Sequence, residues 1–318
     1  MSKILLFSPS ISTLNRGDEI ITEACKKYIK INVNEDYLIE ISTHLPVINK
    51  YLSIIGEAKY KIVLGSNLLR GKVNHRFKPW YIGMNNAKYL SETILMGVGW
   101  WAYNDAPNFY TEHLYKKILS KKFIHSVRDE YTKKMLNSIG ISNVINTGCP
   151  TMWELTKEHC KTIPIEKSDS VIFTLTDYNR DFEADKALVE ILFTHYSNIY
   201  FWVQGWGDRD YLKCIQKSQT RKINVIGATL KEYENFLENH ECDYVGTRLH
   251  AGIKAMQCRK RSIIIGIDNR AIELKRDYNI NCINRNNLVL LPNMIESFFV
   301  TDIRLNEENI RKWISQFD

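Results

Sequence analysis

Short apolar segments typical of β-strands alternate with amphipathic helical segments along most of this 318-residue chain. The pattern starts with a strand at residues 3–8 and a helix that opens near Gly17, and it starts again with a strand near residue 171. When helices separate successive strands, the strands usually join one parallel sheet, because each connection crosses a face of that sheet. The sequence therefore predicts an α/β fold with two doubly wound, Rossmann-like domains.

The boundary between the two series falls in a polar stretch at residues 157–168, which lacks apolar periodicity. We expect an N-terminal domain at residues 1–160, with a surface excursion at 70–89, and a C-terminal domain at residues 161–318. A last helix, at 306–317, is predicted to close back towards the first domain. Two such domains facing each other across a cleft resemble the glycosyltransferase architecture called GT-B, with the acceptor side in the first domain and the donor side in the second.

The composition is that of a globular protein, with 44% hydrophobic and 25% charged residues. No apolar run approaches the ~20 residues that span a bilayer, and the apolar start is too short for a signal peptide. The seven cysteines are scattered without metal-ligand spacing, as expected of a cytoplasmic chain with reduced thiols. The net charge of +7 is compatible with an anionic substrate or with peripheral docking at the inner membrane face, and the alternative is an ordinary solvated surface. No nucleic-acid-binding module is recognisable.

The stretch at residues 243–256 carries the strongest chemical signal. A short strand ends in a turn at Thr247, and a helix follows with Arg248 and His250 in its first turn. A helix N-terminus attracts anions through its backbone N–H groups and its dipole. Arg248 adds a planar cation that suits phosphate or carboxylate, and His250 adds a group that transfers protons near neutral pH. The alternative interpretation is a capped helix with two solvated polar side chains.

Two further motifs follow strands. Asn15 and Asp18 lie in the loop after the first strand, and Arg128 follows the strand at residues 123–127. Because ligands of open α/β sheets bind outside the carboxyl ends of the strands, all three motifs are expected to border the cleft. The alternatives are local, since Asn15 and Asp18 can cap the next helix and Arg128 can pair with an acidic neighbour.

Three blocks of the chain together carry a family resemblance. Residues 248–251 read Arg-Leu-His-Ala, and an apolar strand at 262–267 followed by Asp-Asn-Arg comes after them. Residues 15–19 read Asn-Arg-Gly-Asp-Glu, and residues 128–130 read Arg-Asp-Glu, with a Gly-Cys-Pro turn at 148–150. These blocks resemble, in the same order, the signatures of the polysaccharide pyruvyl transferases. The resemblance spans most of the chain.

The resemblance implies an enzyme that transfers the pyruvyl group of phosphoenolpyruvate onto two hydroxyls of one sugar, forming a pyruvate ketal. The acceptor would belong to a cell-surface polysaccharide such as a capsule, or to a precursor, including one linked to lipid at the membrane face. Two arginines on different walls of the cleft suit a donor with a phosphate and a carboxylate. Ketal formation needs an acid for the donor's methylene carbon and a base for the hydroxyl. The predicted catalytic residues are His250 and Asp18, the predicted donor-binding residues are Arg248, Arg128, Thr247 and Leu249, and the predicted acceptor-binding residues are Asn15, Trp100, Trp101, Asp268 and Asn269.

Alternatives remain for several of these roles. Trp100 and Trp101 can stack on a sugar ring, and so can Trp206, but each can instead pack within the protein. His250 can bind the anion without transferring a proton. Sequence alone does not choose between these interpretations.

The chain shows no His/Cys cluster for a metal, no Gly-x-Gly-x-x-Gly fingerprint for a dinucleotide and no Walker motif. We therefore expect no cofactor and no metal, with phosphoenolpyruvate as a co-substrate and a saccharide as the partner molecule. One rival function is a GT-B glycosyltransferase with a nucleotide-sugar donor, in which Glu273 would bind the ribose. Another is a non-catalytic sugar-binding or scaffold protein of the same fold. The presence of both Arg248 and His250 argues against that function. The sequence leaves the acceptor sugar and the oligomeric state open.

Overall fold

Two compact units make up the chain. The computed structural model describes residues 3–32, 37–76, 78–216 and 222–317. Contacts assign Met1–Thr13, Ile21–Trp153 and Leu305–Asp318 to unit 1, and Leu14–Ile20 and Glu154–Arg304 to unit 2. The segment Leu14–Ile20 therefore groups with unit 2, although the chain on both sides of it belongs to unit 1.

Unit 1 is built around parallel strands whose connections are mostly helical. Its sheet has the order β2–β1–β3–β4, and β5 pairs with β6, with a bridge between Val98 and Val127 connecting the two groups. The first strand lies between the second and the third, so the topological switch point falls between β1 and β3. The elements in chain order are β1 (Lys3–Ser8), α1 (Arg16–Asn32), β2 (Tyr37–Ser42), α2 (Asn49–Ile55), β3 (Tyr60–Leu64), β4 (Thr93–Met96), α3 (Phe109–Ile118), β5 (His125–Val127), α4 (Glu130–Ser138) and β6 (Val144–Asn146).

Unit 2 repeats the pattern with a single six-stranded parallel sheet of the order β12–β11–β10–β7–β8–β9. Counted within the unit, this is the 3-2-1-4-5-6 order of Rossmann folds, and its switch point falls between β7 and β10. The elements are α5 (Lys157–Cys160), β7 (Ser170–Thr174), α6 (Phe182–His195), β8 (Asn198–Trp202), α7 (Asp208–Gln216), β9 (Asn224–Ile226), α8 (Leu230–Asn239), β10 (Asp243–Gly246), α9 (Leu249–Gln257), β11 (Ser262–Gly266), α10 (Asn269–Tyr278), β12 (Cys282–Asn284) and α11 (Leu291–Glu296).

The predicted α/β class with two Rossmann-like parallel sheets is confirmed. Strands β3, β4 and β11 are buried along their whole length, because helices cover both faces of the sheets. That is why they are nearly continuous apolar runs in the sequence. Among the described residues, no helix is both long and apolar enough to cross a membrane.

The C-terminal helix α12 (Glu307–Ile314) groups with unit 1, so the chain returns to the first unit as predicted, although the predicted domain bounds had counted this helix with the second domain. Asn309 Nδ2 donates to the carbonyl of Asn146 at 2.9 Å, which places the helix at the end of β6. Trp313 is 1% exposed and packs against Trp153 with ring centroids 6.0 Å apart. The helix therefore completes the apolar interior of unit 1.

The stretch at residues 70–89 differs from the prediction of a surface excursion. Val73, Trp80 and Ile82 are buried, and Trp80 packs edge-on against Phe7 of β1 at 5.8 Å between ring centroids. This irregular segment supplies part of the hydrophobic core of unit 1. The prediction was wrong because buried apolar residues in a segment without helical or strand periodicity give no pattern to detect.

A buried histidine connects β4 to β5. The backbone N–H of Leu95 donates to Nδ1 of His125 at 3.2 Å, so the ring proton lies on Nε2, which donates to the carbonyl of Ser120 at 2.9 Å. His125 is fully buried. Burial lowers the pKa of His125 to about 4, despite the opposing effects of Ser120 and Glu92. The ring is therefore neutral in the folded protein.

This environment predicts that acid destabilises unit 1. The folded-state pKa lies below the usual value of 6.5, so the unfolded state binds more protons in this window. Stability is full above about pH 6.5 and falls as the pH drops towards about 4, with a loss of about 2 kcal/mol from His125 alone between about pH 7 and about pH 5. Urea unfolding at both pH values should show this loss. In His125→Gln the stability should no longer fall between these pH values, because glutamine does not titrate. In the exposed-site variant His113→Gln the stability should fall as in the wild type. The same pH dependence in both variants would contradict the assignment.

Candidate functional site

The carboxyl ends of β7 and β10 meet at the switch point of unit 2. Ligands of such sheets bind here, because connections leave this point towards opposite faces and open a crevice. Thr176 follows β7 and Thr247 follows β10, and their hydroxyl oxygens lie 2.8 Å apart. The N–H of Thr247 also donates to the carbonyl of Thr174 at 3.1 Å. Thr247 is therefore fixed at the strand ends, although it is only 4% exposed.

Arg248 comes directly before α9, and acidic side chains of unit 2 surround its guanidinium. Nε donates to the carbonyl of Leu175 at 3.0 Å, and Nη2 donates to Asp177 at 2.8 Å and to Asp208. The side chain is almost wholly buried, with 3% exposed. Since two carboxylates accompany one guanidinium, this group presents no net positive charge to an anion. The sequence predicted the position of Arg248 but not these partners.

Asp208, the first residue of α7, holds the guanidinium in place. Its Oδ1 accepts from Arg248 and from the N–H of Asp177 at 3.1 Å, and its Oδ2 accepts from the N–H of Gly205 at 2.6 Å. Burial raises the pKa of the Asp208 carboxyl, and Arg248 opposes this by favouring the carboxylate. Gly205 must lack a side chain, because a Cβ there would overlap Nη2 of Arg248. Asp208 thus fixes both the arginine and the turn beside it.

His250 occupies the first turn of α9, as predicted, together with Leu249, whereas Arg248 is the N-cap residue and not part of the first turn. Leu249 and His250 are both 5% exposed, so His250 is not the solvated residue of the alternative interpretation. The first turn is the positive end of the helix dipole. The assigned roles of both residues remain predictions.

The N-terminal motif packs within unit 2. Oδ1 of Asn15 accepts from the N–H of Gly17 at 3.1 Å, the capping contact that the sequence allowed, and from Nε2 of Gln204 at 2.7 Å. The N–H of Arg16 donates to the carbonyl of Gln204 at 2.9 Å. Asp18 is 8% exposed. Asn15 therefore combines a helix cap with a contact to the loop after β8.

Asp268 and Asn269 follow β11, as predicted. The Asp268 carboxylate caps α10 by accepting from the N–H of Arg270 at 3.0 Å, and it also accepts from Nε of Arg270 at 3.0 Å. Arg270 reaches the hydroxyl of Tyr178 at 2.5 Å. Asn269 is 7% exposed. Contact of these residues with an acceptor stays a prediction.

Arg128 of unit 1 is buried at the end of β5, and its guanidinium is only partly hydrogen bonded. Nη2 donates to Oδ1 of Asn67 at 2.9 Å, and Nε donates to Oδ2 of Asp129 at 3.2 Å. Nη1 is buried and has no hydrogen-bond partner among the residues that the structure describes. The group lies against Gly99, where a Cβ would overlap the guanidinium. The expected pairing with Asp129 is present, and one nitrogen of this cation has no partner within the described part of the chain.

The two neighbouring tryptophans differ in their surroundings. Trp100 is fully buried, packs edge-on against Tyr115 at 6.3 Å and donates from Nε1 to the carbonyl of Asp105 at 3.0 Å. Its prediction as an acceptor-binding residue is wrong, because no ring face is free for a sugar. Trp101 is 39% exposed, and its role stays a prediction.

Sequence reasoning missed several side chains at the strand ends. Asp177 follows β7, Asp208 follows β8 and Asn67 follows β3. Their position after apolar strands is a usable signal, but their partners lie 31 to 71 residues away along the chain. Among the described residues, no group of three or more His, Cys, Asp or Glu side chains is placed to hold a metal ion.

Comparison with solved structures defines the class of fold. UDP-GlcNAc 2-epimerase of Methanocaldococcus jannaschii, solved with UDP-GlcNAc and UDP, is similar over 99% of this chain and 100% of that chain, with a TM-score of 0.55 and 13% identity. E. coli heptosyltransferase WaaC, solved with ADP-2-deoxy-2-fluoro heptose, is similar over 83% and 88%, with a TM-score of 0.39 and 12% identity. The epimerase similarity supports a GT-B-type fold, and at this identity it supports the fold alone.

The family follows from the sequence match. The family model described as polysaccharide pyruvyl transferase matches residues 15–269. The match covers most of the chain and includes all three motif blocks except Arg270, so this protein belongs to the polysaccharide pyruvyl transferase family. Comparison with curated proteins gave no match.

The Arg248–Asp208 pair predicts a large stability effect. Asp208→Asn keeps the side-chain shape but leaves the buried guanidinium with one carboxylate, and breaking a buried ion pair costs about 3 kcal/mol or more. Asp210→Asn, two residues along α7, alters a pair with Lys213 whose carboxylate is 79% exposed, and should have no measurable effect. Urea unfolding of both variants measures the difference. Equally small changes would mean that the pair does not hold this region together.

Proposed function

We propose that the protein transfers the pyruvyl group of phosphoenolpyruvate onto two hydroxyls of a sugar in a cell-surface polysaccharide or its precursor. The product is a cyclic pyruvate ketal, and inorganic phosphate is released. The observation that carries this proposal is the buried guanidinium of Arg128, which keeps an unused donor at the strand ends of a chain from this family. A buried cation with a spare donor favours an anionic ligand.

Arg128 is assigned the main contact with the donor. Asn67 and Asp129 fix two of its nitrogens, and Nη1 has no hydrogen-bond partner among the described residues. Among the residues that the structure describes, one carboxylate is paired with the guanidinium, so the positive charge is not over-compensated. A phosphate or carboxylate oxygen would satisfy Nη1 with a charge-assisted hydrogen bond.

Arg248 is assigned a different role, because Asp208 and Asp177 already neutralise it. Its buried contacts hold the end of β10 against the turn after β8 and so set the direction in which α9 begins. The first turn of α9, with Thr247 before it and Leu249 within it, then offers the positive end of the helix dipole to the donor.

The chemistry requires one acid and one base. We assign His250 as the acid that delivers a proton to the methylene carbon of phosphoenolpyruvate, which becomes the methyl group. The neighbouring carbon gains positive charge, one sugar hydroxyl bonds to it, and phosphate leaves as the second hydroxyl closes the ring. Of the two hydroxyl protons, one replaces the proton that His250 supplied and the other leaves with phosphate. Asp18 is assigned as the base for a hydroxyl.

The remaining parts of the proposal concern partners and location. The donor is the only co-substrate, and the proposal includes no metal or cofactor. Asn15, Trp101, Asp268 and Asn269 remain proposed acceptor contacts, and a lipid-linked acceptor at the cytoplasmic membrane face is part of the proposal. The rival nucleotide-sugar reaction lacks a supporting observation, because Glu273 is 2% exposed and accepts hydrogen bonds from Arg276.

A transfer assay tests the function. The protein is incubated with phosphoenolpyruvate and a panel of lipid-linked saccharides, and mass spectrometry follows the gain of one pyruvate ketal per acceptor with release of one phosphate. His250→Gln should lower kcat at least ~100-fold, because the proton donor is lost. The exposed-site variant His113→Gln should retain the wild-type rate, and circular dichroism should show that both variants are folded. A His250→Gln variant of full activity would remove the acid from the mechanism.

Arg128→Lys tests the donor site. Lysine keeps the charge but lacks the planar fork, so KM for phosphoenolpyruvate should rise about 10- to 100-fold, the value of one or two charge-assisted hydrogen bonds. Lys133→Met, on the exposed face of α4, should leave KM unchanged. Steady-state kinetics at saturating acceptor measures both values. An unchanged KM in Arg128→Lys would place the donor elsewhere.

A further inference from the structure

Trp206 stands apart from the other tryptophans of the chain. It is 81% exposed, whereas five of the seven tryptophans are at most 5% exposed and Trp101 is 39% exposed. A large exposed aromatic ring leaves apolar surface in water, and contact with a ligand would remove that surface from water. The position of this ring in unit 2 therefore needs an explanation.

The backbone that carries the indole is tightly fixed. The N–H of Gly205 donates to Asp208 at 2.6 Å, the N–H of Trp206 donates to the carbonyl of Leu14 at 3.0 Å, and the N–H of Gly207 donates to Asp177 at 3.0 Å. Three consecutive backbone donors are thus engaged, one by Asp208 just after the turn and two by separate segments of unit 2. An exposed side chain on such a turn is held at a defined place rather than on a free loop.

The two glycines beside Trp206 bring the turn directly against the arginine cluster. A Cβ on Gly205 would overlap the guanidinium of Arg248, and a Cβ on Gly207 would lie 2.5 Å from Oδ2 of Asp177. Only the middle residue of the three can carry a large side chain without a clash. The turn that carries its ring consequently lies next to the Arg248–Asp177 pair at the carboxyl edge of the sheet.

We propose that Trp206 is the stacking platform for a hexopyranose unit of the saccharide acceptor. A pyranose ring has an apolar face of C–H groups, which fits an indole face, and a rim of hydroxyls. Asp177 has 23% of its side chain exposed beside the turn, and its carboxylate can accept from such a hydroxyl. An aromatic surface bordered by a carboxylate suits a neutral sugar better than an anion.

The size of the apolar surface argues against a protein or lipid partner. Leu14 is 71% exposed and is joined to Trp206 by the backbone hydrogen bond, and Tyr178, whose ring lies over the Arg248 guanidinium, is 59% exposed. Stable protein interfaces bury about 800 Å² on each partner, far more than these three side chains supply. One sugar ring, by contrast, matches a single indole.

This inference rests on the proposed function, because it takes the acceptor to be a saccharide, and the test separates the two. Trp206→Ala should raise KM for the acceptor about 10- to 100-fold, as loss of one aromatic stacking contact does, while KM for phosphoenolpyruvate stays the same. Trp206→Phe should restore most of the acceptor affinity. The matched control Phe298→Ala, which removes another exposed aromatic ring of unit 2, should change neither constant.

A binding measurement that needs no catalysis completes the test. Wild-type protein and Trp206→Ala are applied to an array of hexose- and N-acetylhexosamine-containing oligosaccharides, and a parallel titration uses uridine diphosphate. Loss of saccharide binding in Trp206→Ala supports the platform even if no pyruvyl transfer is detected, in which case only the proposed function fails. If the acceptor KM and the saccharide binding of Trp206→Ala are both unchanged, the stacking role of Trp206 is overturned, whereas the proposed pyruvyl transfer is not. Uridine diphosphate binding that depends on Trp206 overturns it in favour of a nucleotide ligand.

Discussion

The buried pairing of Arg248 with Asp208 is the interaction on which the rest of unit 2 depends. A guanidinium enclosed at the strand ends is tolerable only because carboxylates and a backbone carbonyl surround it. The same two carboxylates hold the turn at Gly205 and Gly207. One neutralised charge therefore organises the ends of β7, β8 and β10, and with them the beginning of α9.

The buried arginine of unit 1 has a different set of partners. Within the described ranges of the chain, Arg128 has one carboxylate partner, one amide partner and one nitrogen without a partner, all at the ends of β3 and β5. The two arginines look equivalent in the sequence because both follow short strands. Their surroundings distinguish them. Arg248 is paired with two carboxylates and fixes the backbone around it, whereas Arg128 is paired with one carboxylate and favours an anionic ligand. Burial alone would not distinguish these cases, whereas the count of partners does.

The strands and the motif positions were predictable from sequence, because buried parallel strands are apolar runs and functional side chains follow their carboxyl ends. The partners were not, since Asp177 and Asp208 meet Arg248 only through the sheet order. Trp100 was misassigned because a tryptophan beside a strand end gives no sign of which way its ring packs. The docking of Leu14–Ile20 with unit 2 depends on hydrogen bonds to residues almost 200 positions away, which no local pattern encodes.

The return of α12 to unit 1 bears on how the molecule forms during synthesis. Trp313 packs against Trp153, and Gln316 donates to and accepts from the backbone of Ile124, so the interior of unit 1 requires residues that follow unit 2 in the sequence. Most of unit 2 is translated in between. The nascent N-terminal part of unit 1 must therefore remain unfinished, with part of its apolar surface uncovered, until α12 has also emerged from the ribosome.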